Sequence, residues 1–400
     1  MKITRSTNLA NITTPLICVI LFIIAPLLSM PLLVIVYLRN QKYRWFYSLL
    51  IGLSLGIVAY YLLPSKSFDL YRHHESLSNF KNLGLSEIIK GSEPIASLWS
   101  SLIFKTGNFN LLQYSVVSTG YWIILYIIGD YASKIKLSTT YLCVVLTYAL
   151  SAFTAISFMS GLWNYLGILV FTLGLYWDIV TEKRRKLAYI MYAVTPFIHS
   201  SMYFIVLILL VNKTLGKKNK SILAILTLMF IFPAAIIALL NKVVGSDSSI
   251  LLQINLMYNS YFFGKSQLEA EYGARIILME LLKLIPVLIV SLLFWKNDSY
   301  PGRVSLFVLS ITVSVIMLVP QSVIFLRFIM LAVFIGTILI AKYFAQEYKP
   351  YSSILIIVIL LSSLVFMQYQ ILMFRKASFD NLIPRALGSS IFTVFKKGNI

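Results

Sequence analysis

Titratable side chains crowd one short segment of this 400-residue chain. Residues 69–75 have the sequence Asp-Leu-Tyr-Arg-His-His-Glu, and Glu93 follows them. Histidines such as His73 and His74 titrate near neutral pH, so they can take up or release a proton during a reaction. The pattern predicts a functional cluster, with plain solvation of the charges as the alternative: Asp69, Arg72, His73, His74 and Glu93. Solvation alone is what we expect of the lysines nearby, Lys66, Lys81 and Lys90.

A third histidine, His199, lies in apolar surroundings. It follows Ile198 and precedes Met202-Tyr203-Phe204 after two serines. Ionisable groups at such depth in a membrane are costly, so they are usually functional or internally bonded. We expect His199 either to take part in chemistry or to be a structural histidine that is hydrogen-bonded to Thr195 or Ser200.

Two arginines stand in or beside apolar runs. Arg327 has no acidic residue near it in sequence, and its guanidinium is always charged. It therefore needs an anionic ligand or an ion pair with a distant acid such as Asp69 or Glu93. Arg275 lies at the start of an apolar stretch, where its head group can also reach the membrane surface.

The composition is typical of a membrane protein. Hydrophobic residues make up 59% of the chain and charged residues only 12%, against about 45–50% and 25% in soluble domains. The formal net charge is +20, but the basic residues fall in short clusters between apolar runs. That distribution is typical of cytoplasmic loops and argues against nucleic acid as a partner. Cys18 and Cys143 lie inside apolar segments and are expected to be small core residues.

The apolar stretches predict an all-α integral membrane protein, a polytopic bundle of about 11 (10–12) transmembrane helices in one transmembrane domain, 1–400. We expect Pro26 and Pro31 to kink the first span. The predicted spans are 15–38, 45–63, 109–129, 139–159, 163–180, 221–240, 276–295, 304–319, 323–344 and 352–374.

Residues 187–211 form an exception, because basic connectors stand at both of their ends. A single span cannot have the same side at both ends, so the pattern favours a re-entrant pair of short helices that turns near Pro196 to Ser201. One ordinary span, with a basic loop on the unusual side, is the alternative.

Loop charge predicts the orientation. The densest basic clusters, 39–44, 183–186 and 213–220, are expected inside, which places the segments 64–108 and 241–275 outside as two longer loops. Residues 79–90 suit a short amphipathic helix on the membrane surface, and Pro94 can begin the next helix. The N-terminus is then outside, although Lys2 and Arg5 argue against this, and the basic tail, 375–400, argues for an internal C-terminus.

The order of these features resembles the EpsG/Wzy group of bacterial polysaccharide polymerases, roughly from Arg39 to Phe374. The family often has an arginine where this chain has Asn164, which is a departure from its pattern. The residues that carry the resemblance are Asp69 and Tyr71, then Glu93-Pro94, the basic connector Lys183–Lys186, the turn His199-Ser200-Ser201 and the pair Arg327-Phe328.

The resemblance implies glycosyl transfer at the outer face of the inner membrane, in O-antigen, capsule or exopolysaccharide synthesis. Donor and acceptor would be oligosaccharide repeat units linked to undecaprenyl diphosphate, which would be the leaving group. Partners implied are membrane lipid and, in the same pathway, a flippase and a chain-length regulator. No cofactor is implied, which agrees with the absence of P-loop, dinucleotide-binding, zinc-site and GxSxG motifs in the sequence.

This chemistry would need cations for the diphosphate and a base for the attacking hydroxyl. The resemblance assigns the diphosphate to Arg327 and Arg72, with Arg275 third. It assigns proton removal to His73 or His74, with His199 as second choice or as a residue that orients the lipid head group. Asp69 and Glu93 would orient the base, hold an arginine or take the proton. Three aromatic residues could stack on sugar rings: Trp99, Tyr121 and Trp163.

Three other functions remain open at this stage. A flippase or transporter of lipid-linked oligosaccharides would spread charged residues along several helices, whereas here they concentrate in an outer loop. A glycosyltransferase that uses a polyprenyl-phosphate sugar also needs an acid in its first outer loop. A membrane O-acyltransferase would need an acyl-CoA site, for which the sequence gives no signal.

Overall fold

The computed structural model describes residues 4–63, 69–81, 83–159, 161–215, 267–296, 300–317, 322–347, 349–376 and 382–395. For several helical residues, among them 267–277 and 322–327, it describes the backbone alone. The chain forms two compact units. The first comprises residues 1–146, 153–169 and 367–400, and the second comprises 147–152 and 170–366.

The first unit is built from long apolar helices and a group of short ones. α8 and α10 begin in this unit and end in the second. The helices are α1 (Thr4–Ile24), α2 (Pro26–Arg39), α3 (Arg44–Tyr60), α4 (Asp69–Leu77), α5 (Leu85–Lys90), α6 (Pro94–Thr106), α7 (Leu111–Lys134), α8 (Thr139–Ala152), α9 (Ala155–Met159) and α10 (Leu162–Leu175). A π-helical turn, Tyr176–Val180, continues α10.

The second unit contains a pair of equally short helices followed by longer ones. α16 begins in it and ends in the first unit, to which the two short C-terminal helices belong. The helices are α11 (Arg185–Ile198), α12 (Met202–Leu215), α13 (Gln267–Phe294), α14 (Tyr300–Met317), α15 (Ser322–Phe344), α16 (Ser352–Lys376), α17 (Leu382–Gly388) and α18 (Ile391–Val394).

The prediction of a helical membrane protein is confirmed, but the count of about 11 spans is not. Within the described residues, two helices are long and apolar enough to cross a membrane, Leu111–Lys134 and Leu162–Val180. Other apolar helices, such as Arg44–Tyr60 and Phe328–Phe344, are shorter. The predicted span 221–240 and most of the predicted outer loop 241–275 lie outside the described residues, and α13 begins within that loop, at Gln267.

Helices α3 and α7 form the antiparallel core of the first unit. Two glycines, Gly52 and Gly56, let the backbones approach closely. A Cβ at Gly52 would come within 2.7 Å of the Ser118 carbonyl oxygen and 2.8 Å of the Trp122 nitrogen, and a Cβ at Gly56 would meet Ser118 and Tyr114. Small residues spaced four apart are the usual means by which membrane helices pack this closely. The end of α3 therefore lies beside the start of α7.

Arg44 is buried, although the sequence placed it in an exposed basic loop. Its Nε donates to the Tyr37 carbonyl at 3.0 Å and its Nη2 to the Leu38 carbonyl at 3.0 Å. Its Nη1 donates to Ser133 Oγ at 2.8 Å and to the Gly129 carbonyl at 3.3 Å. The guanidinium thus satisfies two carbonyls at the C-terminal end of α2, which would otherwise be left without partners, and joins that end to α7. Arg44 fixes one end of the first unit.

Local helix boundaries differ from the predictions in two places. The first predicted span is two helices, because α1 ends at Ile24 and Pro26 opens α2 rather than kinking a continuous helix. The predicted surface helix 79–90 is a 3₁₀ turn, Ser78–Lys81, followed by the separate α5. The prediction that Pro94 begins a helix is confirmed, with Glu93 at the preceding N-cap position.

Candidate active site

Helix α4 turns both histidines toward the body of the first unit. Leu70 and Leu77 are completely buried. His73 and His74 lie three and four residues after Leu70, so all four residues share one helical face. The face is anchored by its leucines at both ends and presents imidazoles between them. Because α4 follows α3, this face lies near the end of the unit that is opposite Arg44.

His74 is held by a buried glutamine on α7. The Nε2 atom of His74 lies 2.8 Å from Gln113 Oε1, and Gln113 is fully buried. The Gln113 amide nitrogen donates to the Leu62 carbonyl at 3.3 Å, so the amide oxygen must face the histidine and Nε2 must donate. In the neutral ring the basic atom is then Nδ1. Burial lowers the pKa of His74, and the hydrogen bond to Gln113 partly opposes that effect.

His73 is set among charges and an aromatic ring. Burial lowers its pKa most strongly, while the carboxylates of Asp69 and Glu93 raise it and the charges of Arg72 and His74 lower it. The His73 ring stands edge-on to Trp163, with centroids 6.4 Å apart. Because its pKa lies below the ordinary value of 6.5, His73 is neutral at pH 7 and able to accept a proton.

Asp69 and Arg72 form an ion pair on the outer side of α4. The Arg72 side chain is 74% exposed and that of Asp69 20%. Pairs this exposed contribute about 0–1 kcal/mol, so the guanidinium can leave Asp69 for a stronger anion at little cost. Arg72 is therefore accessible to a charged ligand, and its predicted role in binding diphosphate stays a prediction.

Two tryptophans form a wall beside His73. Trp99 on α6 and Trp163 on α10 lie with ring centroids 6.0 Å apart. Trp99 is partly exposed, and its Nε1 donates to Ser115 Oγ at 2.9 Å, which fixes the ring. Tyr121, the third aromatic residue predicted to stack on sugars, is buried against Phe158 instead. The structure thus brings Trp99 and Trp163 to the histidine cluster, but Trp163 is as buried as Tyr121, so Trp99 is the ring of the two that has exposed surface.

His199 belongs to the second unit, at the break between α11 and α12. The backbone N–H of Ser201 donates to His199 Nδ1 at 3.2 Å, and Ser201 Oγ lies 2.7 Å from the same atom. Nδ1 is thus an acceptor, and the proton of the neutral ring sits on Nε2. Ser201, rather than the predicted Thr195 or Ser200, makes these two bonds.

Helices α11 and α12 run antiparallel, as their ends show. The Lys213 ammonium near the end of α12 lies 4.7 Å from the ring centroid of Tyr189 and 5.3 Å from that of Tyr192, both on α11. Each helix has 14 residues, or about 21 Å, which is less than the thickness of a hydrocarbon core. The turn occupies His199 to Ser201, inside the predicted region.

Arg275 and Arg327 lie on helices α13 and α15. Their side chains are outside the described part of the structure, so the predicted diphosphate roles stay predictions. Among the residues that the structure describes, no three His, Cys, Asp or Glu side chains converge in an arrangement that could hold a metal ion.

The model of the EpsG family matches residues 45–384. This chain belongs to the EpsG family. No curated protein and no solved structure matches it. The matched range includes every predicted site residue, from Asp69 to Arg327.

Membership makes this EpsG protein a member of a group of membrane-bound polysaccharide polymerases, which are glycosyltransferase-like enzymes. The resemblance to the EpsG/Wzy group that the sequence suggested is thereby confirmed.

One ion pair of this EpsG chain was not predicted from the sequence; its aspartate is buried and its lysine is partly exposed. Asp178, on the π-helical turn after α10, binds the Lys213 ammonium and accepts a hydrogen bond from Tyr192 Oη at 3.2 Å. The Asp178 side chain is 6% exposed and that of Lys213 27%. A signal existed, because Asp178 is the one acidic residue in the predicted span 163–180, and an acid within a span usually has a partner.

Proposed function

We propose that this EpsG-family chain polymerises oligosaccharide repeat units that are linked to undecaprenyl diphosphate, at the outer face of the inner membrane. The observation that carries the proposal is the pair of half-buried histidines on α4, beside Asp69, Glu93 and the tryptophan wall. This arrangement places a proton acceptor near the partly exposed ring of Trp99, on which a sugar ring can stack.

The reaction is a displacement at an anomeric carbon. A hydroxyl of the acceptor sugar attacks that carbon, and a new C–O bond forms as the C–O bond to the diphosphate breaks. The lipid diphosphate leaves with the electron pair. The hydroxyl proton passes to a neutral imidazole.

His73 is the better placed base of the pair. Asp69 and Glu93 favour its protonated form, so they stabilise the imidazolium that proton transfer creates. His74 is oriented by Gln113, and its free Nδ1 can hold or relay the same proton. Burial keeps both rings neutral before the reaction.

Arginines bind the diphosphate in this proposal. A guanidinium donates two parallel hydrogen bonds to phosphate oxygens, which a lysine cannot reproduce. Arg72 is exposed at the site, and Arg327 with Arg275 supplies further positive charge. His199 orients the lipid head group in this proposal. We expect Arg327→Lys to keep the charge but lose most chain extension, and a fully active, normally expressed Arg327→Ala protein would remove Arg327 from the site.

Charge distribution supports an outward-facing site. The histidine face lies at one end of the first unit, and Arg44 lies at the other. The basic residues Arg39 and Lys42 are close to Arg44 in the chain, so the positive charge is at the end away from the histidines. Positive connectors of membrane proteins stay in the cytoplasm. The product would be an O-antigen, a capsule or an exopolysaccharide, made together with a flippase and a chain-length regulator.

Cells that lack the protein give the test. Lipid-linked glycans are extracted, their length is read on a gel, and their side of the membrane is found with an impermeant enzyme that degrades sugars. We expect single repeat units to accumulate outside and long chains to disappear. Accumulation of single units inside would mean a flippase, and unchanged long chains would refute the polymerase.

A further inference from the structure

The C-terminal helices α17 and α18 pack against the N-terminal helices of the first unit. Helix α18 packs against α1, and α17 packs against α2 and α3. Ala386, Ser389 and Val394 are buried by these contacts. The two helices are too short to be stable alone, so the hydrogen bonds and apolar contacts to the first unit must hold them.

Two polar contacts fix the tail at the end of α3. Ser389 Oγ donates to the Arg385 carbonyl at 2.5 Å, so it accepts from Tyr61 Oη, which lies 2.5 Å away. The buried Asn108 uses its amide nitrogen twice, donating to the Val394 carbonyl at 3.0 Å and to Tyr60 Oη at 2.9 Å. The tail therefore ties the residues that follow α3 to those that precede α7.

The residues that contact the tail are next in sequence to residues that hold His74 in position. Leu62, next to Tyr61, accepts the hydrogen bond from Gln113 that turns the glutamine oxygen toward His74. Phe109, next to Asn108, stands edge-on to the His74 ring with centroids 6.3 Å apart. The tail contact at Asn108 is thus one residue away from Phe109, which touches the His74 ring, and the contact at Tyr61 is one residue away from Leu62, which holds Gln113 in place.

We infer that residues 382–395 form a strap that positions the histidine site and lies on the same side of the membrane as that site. This inference rests on the proposed function only for its effect on rate. It disagrees with the sidedness that the basic tail suggested. Loop charge is a statistical preference, whereas buried hydrogen bonds at the end of α3 fix where the strap lies.

The side of the membrane on which the strap lies is tested by cysteine labelling. Single cysteines are introduced at Gly388 in the strap, at Lys81 after α4 and at Lys42 before α3, in a background of Cys18→Ala and Cys143→Ser. All three positions are exposed, and nothing stands within 4 Å of a side chain built at Gly388. Helix α3, of 17 residues, separates its two ends by about 26 Å.

Intact cells are treated with a membrane-impermeant maleimide. We expect Gly388→Cys and Lys81→Cys to be labelled together, and Lys42→Cys only after permeabilisation. Labelling of Gly388→Cys in step with Lys42→Cys would overturn the inference. If positions 388 and 81 are both protected while 42 is labelled, the strap is upheld and the outward-facing site of the proposed function fails, so the two failures are distinct.

Positioning is tested by chain-extension kinetics. In Asn108→Asp the two N–H donors become an oxygen that faces the Val394 carbonyl. We expect kcat to fall about 10- to 100-fold, as for other misplaced catalytic groups, while KM for the lipid-linked unit stays within about twofold because the strap does not touch substrate.

Ser389→Ala should lower kcat in the same way, and Ser389→Thr, which keeps the hydroxyl, should restore it. Wild-type kcat in both Asn108→Asp and Ser389→Ala would overturn the positioning role. If either variant fails to fold, the labelling result still decides whether the strap lies where we place it.

Discussion

Two ion pairs of this protein, one in each unit, each join an aspartate to a basic residue but differ in how far they are exposed to solvent. Asp69 and Arg72 pair on one turn of α4, with the arginine 74% exposed. Asp178 and Lys213 come from elements far apart in sequence, with the aspartate 6% exposed. The first pair can open to meet a ligand at little cost. The second cannot open without leaving a charge in an apolar place.

The difference separates reactive groups from structural ones. The exposed pair stands beside two half-buried histidines and a tryptophan wall, so its charges can act on a substrate. The buried pair joins the π-helical turn after α10 to the end of α12, and Tyr192 of α11 shares Asp178. It therefore locks the open ends of the hairpin whose turn carries His199.

We expect the largest difference in stability between the two ion pairs when Asp178 is replaced. Asp178→Asn leaves the partly exposed Lys213 ammonium without its counter-charge, and we expect the free energy of unfolding to fall by about 3 kcal/mol, the low end for a broken buried pair. Thermal unfolding of the purified protein in detergent measures this. Adding Lys213→Met to Asp178→Asn should recover most of the loss, because no buried charge then lacks a partner. The matched change at the exposed pair, Asp69→Asn, should cost less than about 1 kcal/mol; equal losses at both sites would end the distinction.

Tyr192 sharpens the account of the buried pair. Tyr192→Phe removes one hydrogen bond to a charged carboxylate, which we expect to cost about 1.5–3 kcal/mol. Tyr189 offers a control, since its ring faces the same ammonium and Tyr189→Phe keeps that ring. The same unfolding assay applies, and a Tyr189→Phe loss as large as that of Tyr192→Phe would show that Asp178 is not the group that matters.

Asp69 should affect pH dependence more than stability. Its carboxylate raises the pKa of His73 against the larger lowering by burial. In Asp69→Asn that support is gone, the pKa of His73 falls further, and the acid limb of the chain-extension rate moves to lower pH. Rates measured across the acid range check this. A shift to higher pH has the wrong sign and would exclude His73 as the titrating base.

Histidine burial also predicts how stability changes with pH. The pKa values of His73 and His74 lie below 6.5 in the folded protein, so the unfolded chain binds more protons once the pH drops below about 6.5. Stability is therefore highest above that pH and declines as the pH falls through the folded-state pKa values. Unfolding temperatures near pH 7 and pH 5 should show the decline, and replacing both histidines with glutamine should reduce it.

Much of the segment from Asp69 to Pro94 could be predicted from the sequence, because the residues that indicate its structure are close together in the chain. The residues from Asp69 to Glu75 are neighbours in the chain, and Glu93-Pro94 has the pattern of a helix start. Leu70, His73, His74 and Leu77 have the spacing of residues that share one face of a helix, so the sequence also indicates the face on which the histidines lie. Local patterns of this kind survive folding with little change.

The ion pair between Asp178 and Lys213 could not be predicted, because the two residues are far apart in the sequence. Nothing near Asp178 indicates that Lys213 will reach it, and Lys213 looked like one more basic residue of a loop. Arg44 was misassigned for the same reason, since the carbonyls it binds belong partly to α7. Gln113, which orients His74, was missed because one buried glutamine in an apolar helix has no pattern.

Chain extension by the purified protein in lipid vesicles tests the central claim most directly. The substrate is the lipid-linked repeat unit, and rates are compared between about pH 5 and 8 for wild type, His199→Gln and the double variant His73→Gln/His74→Gln. We predict that the wild-type rate falls below pH 6.5, that His199→Gln is slower but keeps this limb, and that the double variant loses about 10²–10⁴-fold. A folded double variant that extends chains at the wild-type rate would contradict the account.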